Sequence, residues 1–585
     1  MKVLLVGINA KYIQTNLAVR LLTSWAHAHS RPVQEGSVSV LFREWNINQP
    51  LASALRGIYE EKPDVLLFSV YIWNSRFVFD LAAEARVLLP AALIGFGGPE
   101  VSWSPGRAFS ASPASDFILS GEGELAFSAL LEVLDANGLG ERERLLAVPG
   151  IHLRNSGRQN STHPDSPAFE SGPPSQTLEN LDSIAFPYRE QENGFDPFHQ
   201  LVYYESSRGC PFNCAYCMSS LEKSVRFRSL DLVFQDLRFF IENKWPLVKF
   251  VDRTFNIKPE RYLAIWEWIR DHHAGSTMFH FEIAAELLDD RAFAVLSTMP
   301  EGAIQFEIGI QSAHPEILKR VNRFSSPEVL AARIRKIPKT IHVHVDLIAG
   351  LPGEDVSLFE ESFNFAWNLR SDQLQLGFLK ILPGAPMEEY AVSHPEYSWS
   401  RVPPYEVYSS GSLSYSELLI LKDVEHLLDG WYNSGFAPNA LFRAASVHPG
   451  GPFRLFLDLV RFVRDWFPDG DLYLPRKPID IFACLASFLK TRCSGLELEY
   501  LKLDYLMMGK PGFYPDWFVR RYSREEHEKA IATCISSSPE EPNRLLFART
   551  EYERLDLSGS SEPEGYFFEY SRTKNNGKRA KMTKV

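Results

Sequence analysis

The sequence predicts an α/β protein in which two successive parallel-sheet domains precede a mostly helical C-terminal region. Short, continuous apolar runs recur from residue 2 to residue 382 and alternate with stretches of helical periodicity, a pattern typical of parallel strands covered on both faces. Glycine, serine and asparagine residues collect where the N-terminal runs end, and parallel sheets bind their ligands at that edge. Beyond about residue 405 helical periodicity dominates.

The composition is that of an ordinary multidomain globular protein. The 585 residues are 45% hydrophobic and 23% charged, and a chain of this length is expected to form several domains. The net charge of -12 argues against a nucleic-acid partner, because such surfaces are basic. No apolar run is long enough to span a bilayer, so we expect no membrane partner, and the apolar start is too short for a signal peptide. Six cysteines do not form a disulfide scaffold in so long a chain.

The first domain is predicted over residues 1–150. Its apolar runs begin near residues 2, 64, 92 and 116, and helical stretches such as residues 76–89 and 124–137 separate them. This alternation indicates a Rossmann-like parallel sheet.

The stretch from Arg208 to Met218 carries the most specific motif of the chain. It places thiols at Cys210, Cys214 and Cys217, a C-x3-C-x2-C spacing. Three thiolates on one loop can ligate three irons of a cubic iron–sulfur cluster and leave the fourth iron open. A zinc site is the alternative, but it usually needs four ligands in paired C-x2-C form, and no fourth Cys or His lies at a suitable local spacing. A chance grouping of buried cysteines is the second alternative, which six cysteines in this chain disfavour.

This loop resembles that of the radical S-adenosylmethionine (radical SAM) enzymes. In that family the open iron binds the amino and carboxylate groups of SAM, and an electron from the 4Fe-4S cluster cleaves SAM to a 5'-deoxyadenosyl radical. The aromatic residue before the last cysteine, Tyr216, also fits the family pattern. An open iron–sulfur cluster needs a reducing compartment, so we expect a cytoplasmic location.

The N-terminal domain resembles the cobalamin-binding domain that precedes many radical SAM domains. The resemblance rests on the strings Gly-Gly-Pro-Glu at residues 97–100 and Ser-Gly-Glu-Gly-Glu at residues 120–124, whose glycine turns would let the backbone approach a flat corrin. An ordinary Rossmann-like domain, whose glycines only close loops, is the alternative. The motif D-x-H-x-x-G is absent, so the lower face of cobalt is expected to lack a His ligand or to meet Tyr71 or Trp73. The implied cobalamin contacts are Asn9, Ser69, Gly97, Gly98, Gly121 and Glu122.

Residues 151–195 are rich in Ser, Pro, Asn and Gly and are predicted to be a linker. Six further apolar runs follow within residues 196–395, each succeeded by a helical stretch. Six βα units that begin with the cysteine loop resemble the partial (βα)6 barrel, of the TIM type, of radical SAM enzymes. Such barrels place their chemistry at the C-terminal ends of several strands.

The resemblance also implies SAM contacts at those strand ends. Asp252 stands where the family's second-strand motif reaches the SAM amino group, and Arg323 is a candidate partner for the SAM carboxylate, since a guanidinium binds it bidentately. For each residue singly, a structural role is the alternative. The full set of implied contacts is Tyr216, Asp252, Glu286, Glu307, Gln311, Ser312, Arg323 and Asp346.

Residues 405–550 are predicted to be a mostly helical C-terminal domain. It resembles the tail domain of one uncharacterised group of cobalamin-type radical SAM proteins. Residues 551–585 end in a basic, polar stretch and are expected to be disordered.

These resemblances imply an enzyme with three cofactors: a 4Fe-4S cluster, SAM and cobalamin. The expected reaction is methylation of an unactivated carbon of a small-molecule substrate, with an external electron donor such as flavodoxin or ferredoxin. A radical rearrangement or cyclisation without net methylation and a cobalamin-binding sensor module are the alternatives. A methylthiotransferase is disfavoured, because the extra cysteines of that class are missing. The substrate itself cannot be read from the sequence.

Overall fold

The computed structural model describes residues 1–155, 169–189, 195–493, 495–535, 543–575 and 578–585. The chain divides into two compact units. The first comprises residues 1–308, 318–342 and 378–410, and the second comprises residues 309–317, 343–377 and 411–585.

The N-terminal domain is a seven-stranded sheet in the order β2-β1-β3-β4-β5-β6-β7. Strands β1 to β5 pair in parallel, and β6 and β7 add antiparallel strands at one edge. The parallel pairing confirms the predicted Rossmann-like class. The strands are β1 (Lys2–Asn9), β2 (Ser39–Asn46), β3 (Val65–Ser69), β4 (Leu93–Gly97), β5 (Phe117–Leu119), β6 (Ile151–Arg154) and β7 (Phe169–Ser171).

Both faces of this sheet are buried. Val3 and Leu5 of β1 belong to one apolar cluster, whereas Leu4 and Val6 belong to another, because successive side chains of a strand point to opposite faces. The helices that accompany the sheet are α1 (Leu17–His29), α2 (Arg31–Gln34), α3 (Leu51–Glu61), α4 (Ser75–Leu88), α5 (Pro99–Ser102), α6 (Pro105–Ala111) and α7 (Gly123–Asn137).

The structure differs from the predicted linker over residues 151–195. The strands β6 and β7 lie within that range, and the alternate residues Ile151 and Leu153 are buried against the sheet. Leu178, Leu181 and Ile184 form a further small apolar cluster. The Ser- and Pro-rich composition concealed these short apolar patterns, since composition averages over the whole stretch. Residues 156–168 and 190–194 of the predicted linker lie outside the described residues.

The next domain has a six-stranded sheet in the order β15-β14-β13-β12-β11-β8. The strands β8, β11, β12 and β13 pair in parallel, as predicted, and β9 and β10 form a separate antiparallel pair. The strands are β8 (Val202–Tyr204), β9 (Ser207–Arg208), β10 (Arg226–Phe227), β11 (Leu247–Phe250), β12 (Met278–Glu282), β13 (Ile304–Gln311), β14 (His342–Ala349) and β15 (Gln373–Phe378).

Burial alternates along the strands of this sheet. In β13 every second residue from Ile304 to Ile310 is apolar and buried, whereas Gln305, Glu307 and Gln311 are partly exposed on the other face. The polar candidates therefore share one face of the sheet. The helices of this region are α8 (Leu230–Glu242), α9 (Pro259–His272), α10 (Asp290–Leu296), α11 (Pro315–Arg320), α12 (Pro327–Lys336), α13 (Val356–Trp367) and α14 (Pro386–Ser393).

A short antiparallel pair, β16 (Ser398–Trp399) and β17 (Val407–Ser409), precedes the C-terminal region. That region is mostly helical, as predicted, and it includes a π-helical turn at Leu428–Asn433. Within the ranges described above, no helix is long and apolar enough to cross a membrane. The helices are α15 (Tyr415–Leu427), α16 (Pro438–Val447), α17 (Gly451–Trp466), α18 (Pro478–Arg492), α19 (Leu496–Met507), α20 (Arg524–Cys534) and α21 (Asn543–Arg549).

The expectation of a disordered tail over residues 551–585 is wrong for the part that the structure describes. The strands β18 (Thr550–Leu555), β19 (Glu564–Asn575) and β20 (Lys578–Lys584) form a three-stranded antiparallel sheet. Tyr552 and Phe567 pack into an apolar cluster with residues of α20 and α21. The basic end of the chain dominated the sequence pattern, whereas these aromatic side chains supply the buried area that orders the strands.

Candidate cluster and cofactor site

The three cysteines lie on a loop that follows β9. Gly209 adopts a φ of +91°, and a side chain there would collide with the carbonyl of Ser224, so the position requires glycine. The amide of Cys210 donates a 2.9 Å hydrogen bond to the carbonyl of Glu222. The loop is therefore held at its first cysteine by backbone geometry.

The thiols differ in exposure. Cys210 and Cys214 are buried, and Cys217 is partly exposed. Burial raises the pKa of the Cys210 thiol. Three soft thiolate donors suit an iron–sulfur group. In the described part of the chain, no group of three or more His, Cys, Asp or Glu side chains is found that could hold a metal ion, and cluster ligation by the cysteines stays a prediction.

Arg323 lies beside this loop. The amide of Ala215 donates a 2.9 Å hydrogen bond to the carbonyl of Val321, which ties the loop to the segment that carries Arg323. Burial acts to lower the pKa of Arg323, but interactions with Tyr216, Cys214 and Glu286 outweigh burial and raise the pKa above its ordinary value. A partly buried, charged guanidinium suits a carboxylate ligand, so Arg323 and the neighbouring Tyr216 fit the predicted SAM site.

Glu286 lies on a 3-10 turn after β12. The hydroxyl of Ser325 donates to one of its carboxylate oxygens. The other oxygen, Oε2, is buried and has no hydrogen-bond partner in the part of the chain that the structure describes. Buried carboxylate oxygens rarely remain unsatisfied, so this residue fits a ligand that brings an N–H or O–H donor.

Asp252 has a structural task that the sequence did not indicate. The amide and hydroxyl of Ser206 donate to its two oxygens at 2.9 and 2.7 Å, and the hydroxyl of Ser207 donates at 2.5 Å. Burial raises the pKa of Asp252, while the bonds from Ser207 and Ser206 lower it. The carboxylate thus holds the turn that leads into the cysteine loop, and its contact with SAM stays a prediction.

Glu307 is the acceptor of a hydrogen-bonded cluster on the polar face of the sheet. Nζ of Lys249 lies 3.1 Å from Oε2 of Glu307, and Nε2 of His280 lies 3.0 Å from the same oxygen. The bond from His280 is the main reason that the pKa of Glu307 falls to about 2, with Lys249 adding to the effect against the opposing influence of burial. Glu307 is therefore ionised and already partnered.

Glu282 is a candidate that sequence reasoning missed. It ends β12 directly opposite Glu307 in the strand register, whereas the sequence interpretation placed the end of this strand at Glu286. Burial and the charge of Glu307 raise the pKa of Glu282 to about 7. A carboxylate with a raised pKa at a strand end is a functional-site candidate, and the signal was its position as the last polar residue of the alternating pattern.

Three predicted SAM contacts lie in the second unit. Ser312 is buried, and its hydroxyl donates a 2.6 Å hydrogen bond to Glu354, so its side chain serves the protein's own packing. Gln311 has a φ of +69°. The oxygen of its side-chain amide, Oε1, is buried without a hydrogen-bond partner among the described residues, which suits a ligand contact. Asp346 lies on the partly exposed face of β14.

The strand ends of the N-terminal sheet provide the predicted cobalamin contacts. Ser69 and Gly97 are paired at one level of the parallel ladder. The Ser69 hydroxyl is buried without a protein hydrogen bond of normal geometry within the described ranges, and a side chain at Gly97 would meet only the carbonyl of Leu119, at 3.6 Å. Ser69 and Gly97 end neighbouring strands side by side, and the ledge that they form is a candidate support for a flat ligand. The amide of Asn9 instead donates to the carbonyl of Gln14 at 2.9 Å and holds its own loop.

Gly98 and Gly121, the other two glycines, are each closely approached by atoms of the protein itself. Gly98 has a φ of +108°, and a side chain there would lie 2.6 Å from the carbonyl oxygen of Val70. Gly121 has a φ of +83°, and a side chain would lie 2.6 Å from the hydroxyl of Ser175. Close internal approach therefore accounts for glycine at both positions, and their contact with cobalamin stays a prediction.

Glu122 points its carboxylate at arginines. Arg226 donates to both of its oxygens, Arg208 lies 3.3 Å away, and the amide of Leu178 donates at 2.8 Å. Burial opposes ionisation, but the Arg226 bond leads the influences that lower the pKa of Glu122. Arg208 and Arg226 were not singled out from the sequence, and no local pattern marks residues whose partners are distant in the chain.

Tyr71 and Trp73 follow β3. Their rings stack at 4.3 Å between centroids with 10° between the planes. Trp73 is 47% exposed, so a flat aromatic surface stands at this edge of the N-terminal sheet. Whether either residue faces cobalt stays a prediction.

Family models match three parts of the chain. Residues 3–131 match the B12 binding domain, and residues 204–366 match the Radical SAM superfamily. The chain therefore carries a region similar to the B12 binding domain ahead of a region similar to the radical SAM domain. Residues 394–584 match the model described as "Protein of unknown function (DUF4080)". This match distinguishes the C-terminal part of the chain from the two regions before it.

Similar proteins include two curated relatives. The cobalamin-dependent radical SAM methyltransferase TokK of Streptomyces tokunonensis is 28% identical over 58% of this chain and 50% of that protein. The uncharacterized methyltransferase PH0819 of Pyrococcus horikoshii is 26% identical over 57% of this chain and 70% of that protein. The chain thus spans half the length of TokK.

A solved structure shows the same fold. The cobalamin-dependent S-adenosylmethionine radical enzyme OxsB, with aqua-cobalamin and S-adenosylmethionine bound, aligns with a TM-score of 0.57. The alignment covers 92% of this chain and 82% of that chain at 14% identity. This likeness concerns the fold alone.

Proposed function

We propose that this protein is a cobalamin-dependent radical SAM methyltransferase that methylates an unactivated carbon of a small molecule. The observation that carries the proposal is the loop of Cys210, Cys214 and Cys217 at the start of a radical SAM domain. The B12-binding match ahead of it and the methyltransferase relatives support methyl transfer as the outcome.

The chain's residues would divide the work by position. When bound, the cluster supplies the electron that cleaves SAM to a 5'-deoxyadenosyl radical, and cobalamin supplies the methyl group. The three cysteines hold the cluster, Arg323 binds the SAM carboxylate, and the free oxygen of Glu286 accepts a hydrogen bond from SAM. Ser69 and Gly97 support the corrin at the strand ends.

The same proposal includes the supply of electrons and the compartment. An external donor of the flavodoxin or ferredoxin type delivers the electron, since none of the residues proposed here is itself a reductant. The protein works in the cytoplasm, because an iron–sulfur cluster with an open iron requires reducing conditions.

The test is product analysis after anaerobic incubation of reconstituted protein with labelled SAM, cobalamin, a low-potential reductant and a pool of candidate small molecules. We expect 5'-deoxyadenosine together with a product that carries the labelled methyl group. Formation of 5'-deoxyadenosine with an unmethylated, rearranged product would replace methyl transfer by a radical rearrangement. Absence of 5'-deoxyadenosine from protein with a full cluster would contradict the whole proposal.

A further inference from the structure

We infer that Arg208, Arg226, Glu122 and Glu124 form a two-arginine latch by which the N-terminal domain positions the cysteine loop and sets the charge around it. The inference rests on the proposed function in one respect, namely that the loop holds an iron–sulfur cluster. The four residues act through the loop and are positioning residues.

The first half of the latch is the pair of Arg208 and Glu124. Nη2 of Arg208 lies 2.6 Å from Oε1 of Glu124, and Nη1 lies 3.1 Å from Oε2, a bidentate arrangement that fixes both position and angle. Nε of Arg208 donates to Glu205 at 2.8 Å. The Arg208 side chain is 11% exposed and that of Glu124 is 4% exposed, so water does not weaken the pair.

The second half is the pair of Arg226 and Glu122. Arg226 is paired with Arg208 in the β9–β10 ladder, so the two guanidinium groups leave neighbouring strands. Arg226 donates to both oxygens of Glu122 and also contacts the carboxylate of Glu222. The carbonyl of Glu222 accepts the amide hydrogen of Cys210.

The latch reaches the cluster loop over a very short path. Only Gly209 separates Arg208 from Cys210, and its backbone is confined by the carbonyl of Ser224. A displacement of Arg208 is therefore expected to displace Cys210 as well, because the single residue between them has little conformational freedom. Glu122 and Glu124 flank the start of α7, directly after Gly121 at the end of the N-terminal sheet, so the latch connects the two sets of strand ends where cofactors are proposed to bind.

The latch also controls local charge. The carboxylates of Glu122, Glu124 and Glu205 surround the Arg208 guanidinium. Replacing Glu124 by Gln removes one negative charge next to the loop, which favours the reduced and more negative state of a cluster, because cluster potentials respond to nearby charge and hydrogen bonding. The midpoint potential of the cluster is therefore expected to shift in the positive direction.

The test compares Glu124→Gln and Arg208→Lys with a matched control, Glu44→Gln. Glu44 forms a similar ion pair with Arg20, at 3.0 and 3.3 Å and with side chains 12% and 8% exposed, but it does not contact the cysteine loop. In cofactor-free protein we expect hydrogen exchange of the amides at residues 207–228 to become at least about tenfold faster in Glu124→Gln and Arg208→Lys. It should stay unchanged in Glu44→Gln.

The second readout is the midpoint potential of the anaerobically reconstituted cluster, followed by electron paramagnetic resonance. Glu124→Gln is expected to shift the midpoint potential in the positive direction. Arg208→Lys keeps the positive charge but loses the bidentate hydrogen bonds of the guanidinium, so it is expected to change the rate of hydrogen exchange more than the midpoint potential. Unchanged exchange in both latch variants, or equal changes in Glu44→Gln, would overturn the inference. Failure of the wild-type protein to assemble any cluster would refute the proposed function instead, since the exchange measurement needs no cofactor.

Discussion

Nε2 of His280 lies 3.0 Å from Oε2 of Glu307, on neighbouring strands of the six-stranded sheet. Burial lowers the pKa of His280, although Glu307 opposes this, and Nδ1 of His280 lies 2.5 Å from Nε2 of Gln305. A neutral imidazole satisfies both contacts, because it donates from Nε2 to Glu307 and accepts at Nδ1 from Gln305. The pair thus consists of a partly exposed carboxylate and a buried, neutral histidine.

This pair predicts a pH-dependent stability. The pKa of Glu307 falls from 4.5 to about 2 in the folded protein, so its contribution is present above pH 4.5 and is lost as the pH falls toward 2. Glu307→Gln is expected to reduce the free energy of unfolding at pH 7 by about 2–3 kcal/mol, and the difference from wild type should shrink below pH 4.5. Denaturant titrations at several pH values measure this, with the exposed Glu301→Gln as the control. A difference that does not change with pH would contradict the assignment.

At Glu354 the expected dependence of stability on pH has the opposite sign. Burial raises its pKa from 4.5 to about 7, against the bonds from Ser312 and Ser362, so the cost of ionising it in the fold appears above pH 4.5 and is complete above pH 7. Glu354→Gln mimics the protonated form and is expected to stabilise the protein at pH 8 by up to about 3 kcal/mol, with little effect at pH 4.5. Thermal unfolding at both pH values checks this. Destabilisation at pH 8 would show that the carboxylate is needed in its charged form.

The cysteine loop predicts a single oxygen-labile cluster. Anaerobic reconstitution of the wild-type protein is expected to yield about four irons per chain. Replacing Cys210, Cys214 and Cys217 together by Ala should abolish iron retention, whereas Cys484→Ala, at a buried cysteine of α18, should retain it. Iron and sulfide analysis with absorption spectra provides the measurement. Full iron content in the triple variant would show that these three cysteines do not ligate the iron.

Substitutions at Arg323 and Asp252 are expected to have different effects, the first on SAM binding and the second on iron content. Arg323→Ala removes a charged donor and should weaken SAM binding by roughly 10- to 100-fold, with the iron content unchanged. Asp252→Asn puts an amide group in place of an oxygen that accepts from Ser206 or Ser207, so it should loosen the turn before the cluster loop and lower the iron content first. Equilibrium binding of SAM and iron analysis on the same samples separate the two. Loss of iron in Arg323→Ala together with normal iron in Asp252→Asn would reverse the two assignments.

The neighbouring glycines at the end of β4 form a matched pair. Gly97→Ala meets only an ordinary contact at 3.6 Å, so it should fold normally, and Gly97→Val should fill the ledge and reduce cobalamin retention. Gly98→Ala places a side chain at a φ of +108° and against the carbonyl of Val70, and it should destabilise the domain by at least about 1–2 kcal/mol. Cobalamin content after gel filtration and thermal unfolding report the two effects. Normal cobalamin retention in a folded Gly97→Val protein would remove Gly97 from the site.

The sequence by itself determined the order of the domains and the cysteine motif. Apolar runs and helical periodicity are local properties, and they marked strands of both sheets, although β2 and the edge strands β6 and β7 were missed. The C-x3-C-x2-C spacing is also local, because three ligands of one group lie on one loop. Composition was a poor guide where short strands occur in polar surroundings, as at β6, β7 and β20.

Only the tertiary structure decided which polar residues meet. Glu122, a predicted cobalamin contact, pairs with Arg226, and Ser312, a predicted SAM contact, bonds to Glu354; their contacts with the cofactors stay predictions. The arginines and glutamates of the latch are separated by 84 to 104 positions along the chain. Such pairs form because folding brings distant strand ends to one edge, where burial makes an uncompensated charge costly, and no local pattern in the sequence records that choice.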